Sequence, residues 1–109
     1  FEVEQVLLGH PSIADAAAYP LRAESSEDEV AVALVLKPGA QVTEADVVAY
    51  CVQHMAYFMV PRFIEFVPEM PRNPSQKVEK YKLKEAAEAA RERLWDREKA
   101  GIVVMRERP

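Results

Sequence analysis

The chain has 109 residues, half of them hydrophobic and 29% charged, with a net charge of −4; this is about one domain, with a single core and no room for an enclosed cleft between domains. No apolar run approaches the ~20 residues of a membrane span, and the lone Cys51 excludes an internal disulfide and a cysteine-based metal cluster. A soluble domain from a reducing compartment, the cytoplasm, is therefore predicted.

The chain opens on Phe1-Glu2-Val3-Glu4, without a methionine or a signal-peptide pattern, and reads as the interior of an element. That predicts a piece of a longer protein. Residues 2–9 place Val3, Val6 and Leu7 at helical spacing behind two early acids, and Gly9-His10-Pro11 ends the run. Residues 13–20 are small-sided, short and flanked by prolines, which favours a strand. A polar loop over 22–28 leads to residues 29–37, apolar on both parities, as in a strand buried on two faces. Thr43 is a good N-cap with acids behind it, and Val47, Val48, Cys51 and Met55 form one face of a helix ending near Met55. Residues 62–67 alternate as a third strand, stopped by Pro68. Leu83, Ala87, Ala90 and Leu94 recur at helical spacing in an Ala-, Glu- and Arg-rich run, which predicts a last helix ending by Gly101. The order predicts a small α+β domain, a short three-stranded sheet packed by helices, over residues 1–100, with 101–109 as a tail.

Positive charge is gathered into residues 71–84, where Arg72, Lys77, Lys80, Lys82 and Lys84 face the single Glu79 within an acidic chain. Such asymmetry marks an anion site. Pro71 and Asn73-Pro74-Ser75 argue for a tight turn, leaving Lys77 at or just past it with its ammonium able to reach out. Nucleic acid would call for a wider basic face with interleaved aromatics, and only Tyr81 accompanies these charges. A membrane surface would call for an apolar face beside the lysines, whereas the following helix carries acids throughout. A small polyanion such as a nucleotide phosphate fits better.

No Gly-rich phosphate loop, zinc spacing or Ser/His/Asp or Cys/His arrangement is present, so a complete active site is not expected within the chain. His10, before a proline at a helix end, reads as a capping or surface residue, and His54 suits a helix C-terminus. Cys51, on a core face, reads as a small packed hydrophobe. Trp95 reads as a packing residue beside the last apolar stripe.

Four segments, in order, resemble the small C-terminal domain of the adenylate-forming superfamily, which includes acyl-CoA synthetases, peptide-synthetase adenylation domains and luciferases. Residues 1–11 look like the helix after the interdomain hinge, 32–39 like the central strand and turn, and 60–67 like the strand leading to the catalytic turn. Pro71 to Lys77 falls on the family's last motif, Pro-x-x-x-Ser/Thr-Gly-Lys. Gln76-Lys77-Val78-Glu79-Lys80 is reminiscent of carnitine or crotonobetaine CoA ligases. The resemblance implies that Lys77 enters the active site of a large N-terminal domain lying outside this chain, to act in carboxylate adenylation by ATP. The small domain then rotates and withdraws it for thioester formation with coenzyme A. It also implies a carboxylic acid substrate, Mg²⁺ held by the missing domain, and no activity for the fragment alone. Ser75 and Gln76 are expected to shape the turn, and Arg72, Lys80 and Lys82 to contact nucleotide or coenzyme A phosphates. Gln76 replaces the usual glycine, and Phe58 stands where many relatives have lysine. The other readings are an adenylation domain that loads a carrier protein, and an interaction module that binds an acidic partner through residues 72–84.

Overall fold

The computed structural model describes residues 2–104. Helix α1 (Glu2–Leu8) leads into a long hairpin of β1 (Ile13–Arg22) and β2 (Asp28–Leu36). Helix α2 (Glu44–His54) and a single 3₁₀ turn carry the chain over to β3 (Phe63–Phe66), and α3 (Lys80–Ala89) and a second 3₁₀ turn precede β4 (Trp95–Asp96). The sheet runs β1-β2-β3-β4, with β1/β2 and β3/β4 antiparallel and β2/β3 parallel. A parallel pair needs a crossover long enough to return the chain to the same edge, and α2 supplies it. No helix among the described residues is long and apolar enough to cross a membrane.

Alternation along the strands divides the core in two. Ala16, Ala18, Val32, Leu34 and Ile64 face α1 and α2, packing with Val3, Leu7, Val47, Val48 and Cys51. Their neighbours Ala17, Tyr19, Ala31, Ala33 and Phe63 face the other way, toward Leu83 and Ala87 of α3. The sheet is thus covered on both faces, which is why β2 reads as a continuous apolar run. Alanines on both sides of β1 and β2 let the helices lie close to the backbone. At α2 the Thr43 hydroxyl accepts from the Asp46 N–H at 3.1 Å while the Asp46 carboxylate accepts from the Thr43 N–H at 2.9 Å; Thr43 is the N-cap the sequence predicts, and the return bond makes the cap reciprocal.

The α+β class stands, and two details differ from the sequence reading. The sheet gains a fourth, two-residue strand, and the last helix begins at Lys80 and stops at Ala89 rather than running toward Gly101. Ala90 leaves the helical region at φ −143°. Beyond it Leu94 joins the α3-side cluster while Trp95 packs on the opposite one, so consecutive side chains go to opposite faces, as a strand requires and a helix forbids. Pairing with β3 and an ion pair from Asp96 to Arg62 override a helical periodicity that is locally strong. Trp95 packs as expected, from a strand and against the other face of the sheet. Ile102 and Val104 pack on the α1/α2 side, and the remainder of the expected tail, 105–109, lies outside the described residues.

Candidate active-site hairpin

The stretch between β3 and α3 folds as a small hairpin. Arg72 and Val78 form an antiparallel bridge, the Asn73 N–H donates to the Lys77 carbonyl at 3.0 Å, and the Glu79 N–H donates to the Pro71 carbonyl at 2.8 Å. Within it the Gln76 N–H donates to the Asn73 carbonyl at 2.8 Å, closing a β-turn with Pro74 at the second position, where its fixed φ is already correct. The Asn73 carboxamide oxygen accepts from both the Ser75 and Lys77 N–H groups, at 2.9 and 3.0 Å. A turn followed by a left-handed residue is the usual three-residue hairpin loop. Here that residue is Gln76, at φ 67°.

The turn therefore keeps the shape a glycine would allow, with a side chain in a region that costs an L-residue about 1–2 kcal/mol. Glycine gives back ~0.5–1 kcal/mol through the entropy of the unfolded chain. Gln76→Gly is accordingly expected to stabilise the protein by up to about 1 kcal/mol, raising its melting temperature by a few degrees. A lowered melting temperature would show that the Gln76 side chain supplies more than the strain removes.

Lys77 follows the left-handed residue and is exposed, and its ammonium has no hydrogen bond or ion pair among the described residues. Lys84, half-buried on α3, likewise has no hydrogen bond or ion pair among the described residues, whereas the other three cations of the segment are tied down. Arg72 donates to the Gln76 carbonyl at 2.8 Å and pairs with the Asp15 carboxylate on β1. Lys80 pairs with Glu4 of α1 at 2.6 Å, and the same Glu4 oxygen accepts from the Ala18 N–H at 2.7 Å. Burial pushes the Glu4 carboxyl up, but Lys80 and the Ala18 N–H outweigh it and hold it below the ordinary value. Lys82 pairs with Glu79 at 3.0 Å, one helical turn away, and that hydrogen bond raises its pKa. Ser75 is exposed at the tip. The structure thus brings Ser75, Gln76 and Lys77 together at one projecting end, with Arg72 and Lys80 bracing its base against β1 and α1.

The bracing roles of Asp15 and Glu4 were not legible in the sequence, where Glu4 reads only as an early acid of the first helix. Asn73 had a local signal, since Asn-Pro-Ser favours a side-chain-capped turn. Asp15 had none, lying 57 positions from its arginine.

Remaining candidates are structural. The His10 Nδ1 accepts from the Ser12 N–H at 3.0 Å, closing the turn after α1. His54 stacks on Tyr50 with its Nδ1 2.8 Å from the Tyr50 carbonyl. Cys51 is fully buried, and burial pushes its thiol up to about 12. We expect native protein to leave Cys51 unreacted with a thiol-specific disulfide reagent until denaturant is added; stoichiometric reaction without denaturant would show that α2 opens. Phe58 is 70% exposed and meets the edge of Tyr57.

The described residues thus form a small sheet covered on both faces, with a braced hairpin that carries Lys77, unpaired among them. Residues 2–77 match the family model of the AMP-binding enzyme C-terminal domain. The chain is 37% identical over 87 residues to a mitochondrial medium-chain acyl-CoA ligase, ACSF2, of Danio rerio, covering 80% of this chain and 14% of that protein. It is 34% identical over 83 residues to crotonobetaine/carnitine–CoA ligase of Salmonella arizonae, covering 76% of this chain and 16% of that protein. The solved anthranilate CoA ligase AuaEII, in complex with anthranoyl-AMP, superposes with a TM-score of 0.75 at 32% identity, over 84% of this chain and 18% of that one. This chain belongs to the AMP-binding enzyme C-terminal domain family, the small C-terminal domain of adenylate-forming enzymes, and its relatives include acyl-CoA ligases. It spans about a sixth of the length of the relatives it matches.

Proposed function

We propose that this domain is the mobile C-terminal cap of an ATP-dependent acid–CoA ligase, and that Lys77 is the residue it contributes to carboxylate adenylation. The supporting observation is the exposed ammonium of Lys77, unpaired among the described residues, on a hairpin braced on both sides and at the last residue of the family match. In the reaction a carboxylate oxygen attacks the α-phosphorus of ATP, the bond to pyrophosphate breaks, and an acyl-adenylate forms. Two anions must approach, and a cation between them offsets their repulsion and the charge that builds in the transition state. Lysine suits this as a compact charge on a flexible stem. The solved relative that holds anthranoyl-AMP supports an adenylate intermediate here.

In the second half-reaction the coenzyme A thiol loses its proton and its sulfur attacks the acyl carbon, expelling AMP. A cap that rotates between the two steps withdraws Lys77 before the thiol arrives. The residues present offer a cation for phosphate and carboxylate oxygens; Mg²⁺, which would neutralise the outgoing pyrophosphate, belongs in this reading to the large domain. The domain alone is expected to be inactive, and the enzyme to work in the cytoplasm, although one relative carries "mitochondrial" in its name.

The test is acid-dependent exchange of labelled pyrophosphate into ATP by the full-length protein, with octanoate, crotonobetaine, carnitine and 2-succinylbenzoate as probes. Exchange, with acyl-CoA and AMP released when coenzyme A is added, is the expected result. Exchange without thioester would favour loading of a carrier protein; no exchange with any of the acids would overturn the ligase reading. An interaction module reading the whole basic segment fits less well, because Arg72, Lys80 and Lys82 are already paired with this domain's own carboxylates.

A further inference from the structure

We propose that Arg72 is a positioning residue for Lys77, fixing the peptide unit between Gln76 and Lys77 to a preformed anchor on β1; this rests on the adenylation role of Lys77. The guanidinium works as a two-way fork. One terminal nitrogen donates to the Gln76 carbonyl at 2.8 Å and the other pairs with the Asp15 carboxylate. That carbonyl belongs to the left-handed residue, and it shares a peptide plane with the Lys77 N–H, which donates to the Asn73 side chain at 3.0 Å. The plane is therefore held from both ends, by Arg72 at its oxygen and Asn73 at its hydrogen, and the backbone from which Lys77 departs is restrained against rotation.

The anchor is built for the purpose. The β1/β2 register slips between Ile13 and Asp15, opposite Leu36 and Val35, so one extra residue is inserted on β1. Such a bulge re-aims the side chains beside it. One Asp15 oxygen accepts from the Ala16 N–H at 2.9 Å, locking the carboxylate, and the other takes Arg72. A strand irregularity at one end of the chain and a turn carbonyl at the other are joined through one planar side chain. Lysine cannot copy this, since a single ammonium lacks the fixed fork needed to hold a carbonyl and a carboxylate in two directions. The left-handed Gln76 makes the clamp more important than it would be beside a glycine, because relaxation of the strained residue would swing Lys77 with it.

The experiment uses the full-length protein and separates the half-reactions. Adenylation is followed by pyrophosphate exchange with the best acid of the panel above, and thioester formation by coenzyme A consumption with supplied octanoyl-adenylate. Misplacing a reacting group by about 1 Å costs up to about 10²-fold, so Arg72→Met is expected to lower kcat for adenylation about tenfold with KM for ATP changed less than about twofold. Thioester formation should change less than about twofold, because Lys77 is withdrawn in that step. Arg72→Lys should fail to rescue, and Asp15→Asn, which spares the arginine, should reproduce part of the loss and serves if Arg72→Met does not fold. In a Lys77→Ala background Arg72→Met should add nothing further. An independent readout is amide hydrogen exchange over residues 73–78, expected to quicken about tenfold in Arg72→Met as a charge-assisted hydrogen bond is lost. Equal slowing of both half-reactions, full rescue by lysine, unchanged exchange, or an undiminished Arg72→Met effect without Lys77 would each overturn the positioning role and leave the ligase reading intact. If Lys77→Ala leaves adenylation unslowed, the positioning role falls together with the adenylation role of Lys77 on which it rests.

Discussion

Replacing Lys77 with alanine is expected to slow adenylation by the full-length enzyme by about 10²-fold or more, while thioester formation from supplied acyl-adenylate stays within about twofold. The size follows from the chemistry. A unit positive charge about 4 Å from a unit negative charge is worth about 4 kcal/mol at an effective dielectric near 20, and tenfold in rate corresponds to ~1.4 kcal/mol. Part of that interaction is already present in the ground state and does not accelerate the step, which brings the estimate down to about two powers of ten. The asymmetry between half-reactions follows from the proposed withdrawal of Lys77, which is exposed and unpaired among the described residues. Lys77→Arg keeps the charge but spreads it over a wider, planar group and should recover only part of the rate. Measured by pyrophosphate exchange and coenzyme A consumption on the same preparations, equal loss in both assays would remove Lys77 from the adenylation step. So would loss in neither.

The largest expected effect on stability lies at the other end of the strands from Asp15, beside the loop between β1 and β2. Arg62 is 5% exposed. Its Nε and one terminal nitrogen grip Asp96 at 3.0 and 3.1 Å, and its terminal nitrogens reach both oxygens of Glu24 at 2.9 and 3.3 Å. Glu29 and Glu98 stand at 3.7 and 3.6 Å, and the guanidinium lies over the Phe63 ring. One cation thus ties the loop of the β1/β2 hairpin to β3 and β4. Arg62→Met removes it and leaves Asp96, 8% exposed, among like charges with no cation in contact. Breaking a buried pair from one side costs about 3–5 kcal/mol; since Glu24 and Glu98 are at the wet rim and can turn away, about 3 kcal/mol is expected. Against the ~5–15 kcal/mol typical of a domain, that is a large share. In urea unfolding the midpoint should fall with little change in slope, and a loss below about 1 kcal/mol would show that the network is screened by water.

The same network sets an acid limit. Burial pushes the Asp96 carboxyl up, yet the hydrogen bonds from Arg62, the charge of Arg62 and the Glu98 and Lys99 N–H groups outweigh it, so the folded protein holds it below the ordinary 3.8. A carboxyl depressed on folding contributes stability above its unfolded value, and that contribution is lost as pH falls through the folded one. The Asp96 contribution should therefore be complete at neutral pH and be lost progressively as pH falls below the ordinary 3.8. In Arg62→Met this acid-dependent loss should shrink.

Much of the candidate site was legible from neighbours in sequence. Asn73-Pro74-Ser75 announces a turn because a short amide side chain and a fixed φ favour it, and a basic segment in an acidic chain points to an anion. Lys77 was reachable by that route. What could not be read was the division of labour among the cations: Arg72, Lys77, Lys80 and Lys82 look alike in composition, and only their carboxylate partners separate them.

Left to itself, the amino-acid order determines the elements whose signals lie within one turn or one strand: the two-faced β2, the Thr43-capped α2, and the proline-stiffened turn before Lys77. The tertiary structure alone decided where α3 stops, that Trp95 and Asp96 become a fourth strand, and which basic side chains are tied down. The reason is the range of the interactions. Periodicity and capping depend on residues three or four apart, whereas Arg62 meets Asp96 across 34 positions and Arg72 meets Asp15 across 57, pairings that exist only after the sheet has brought the segments together.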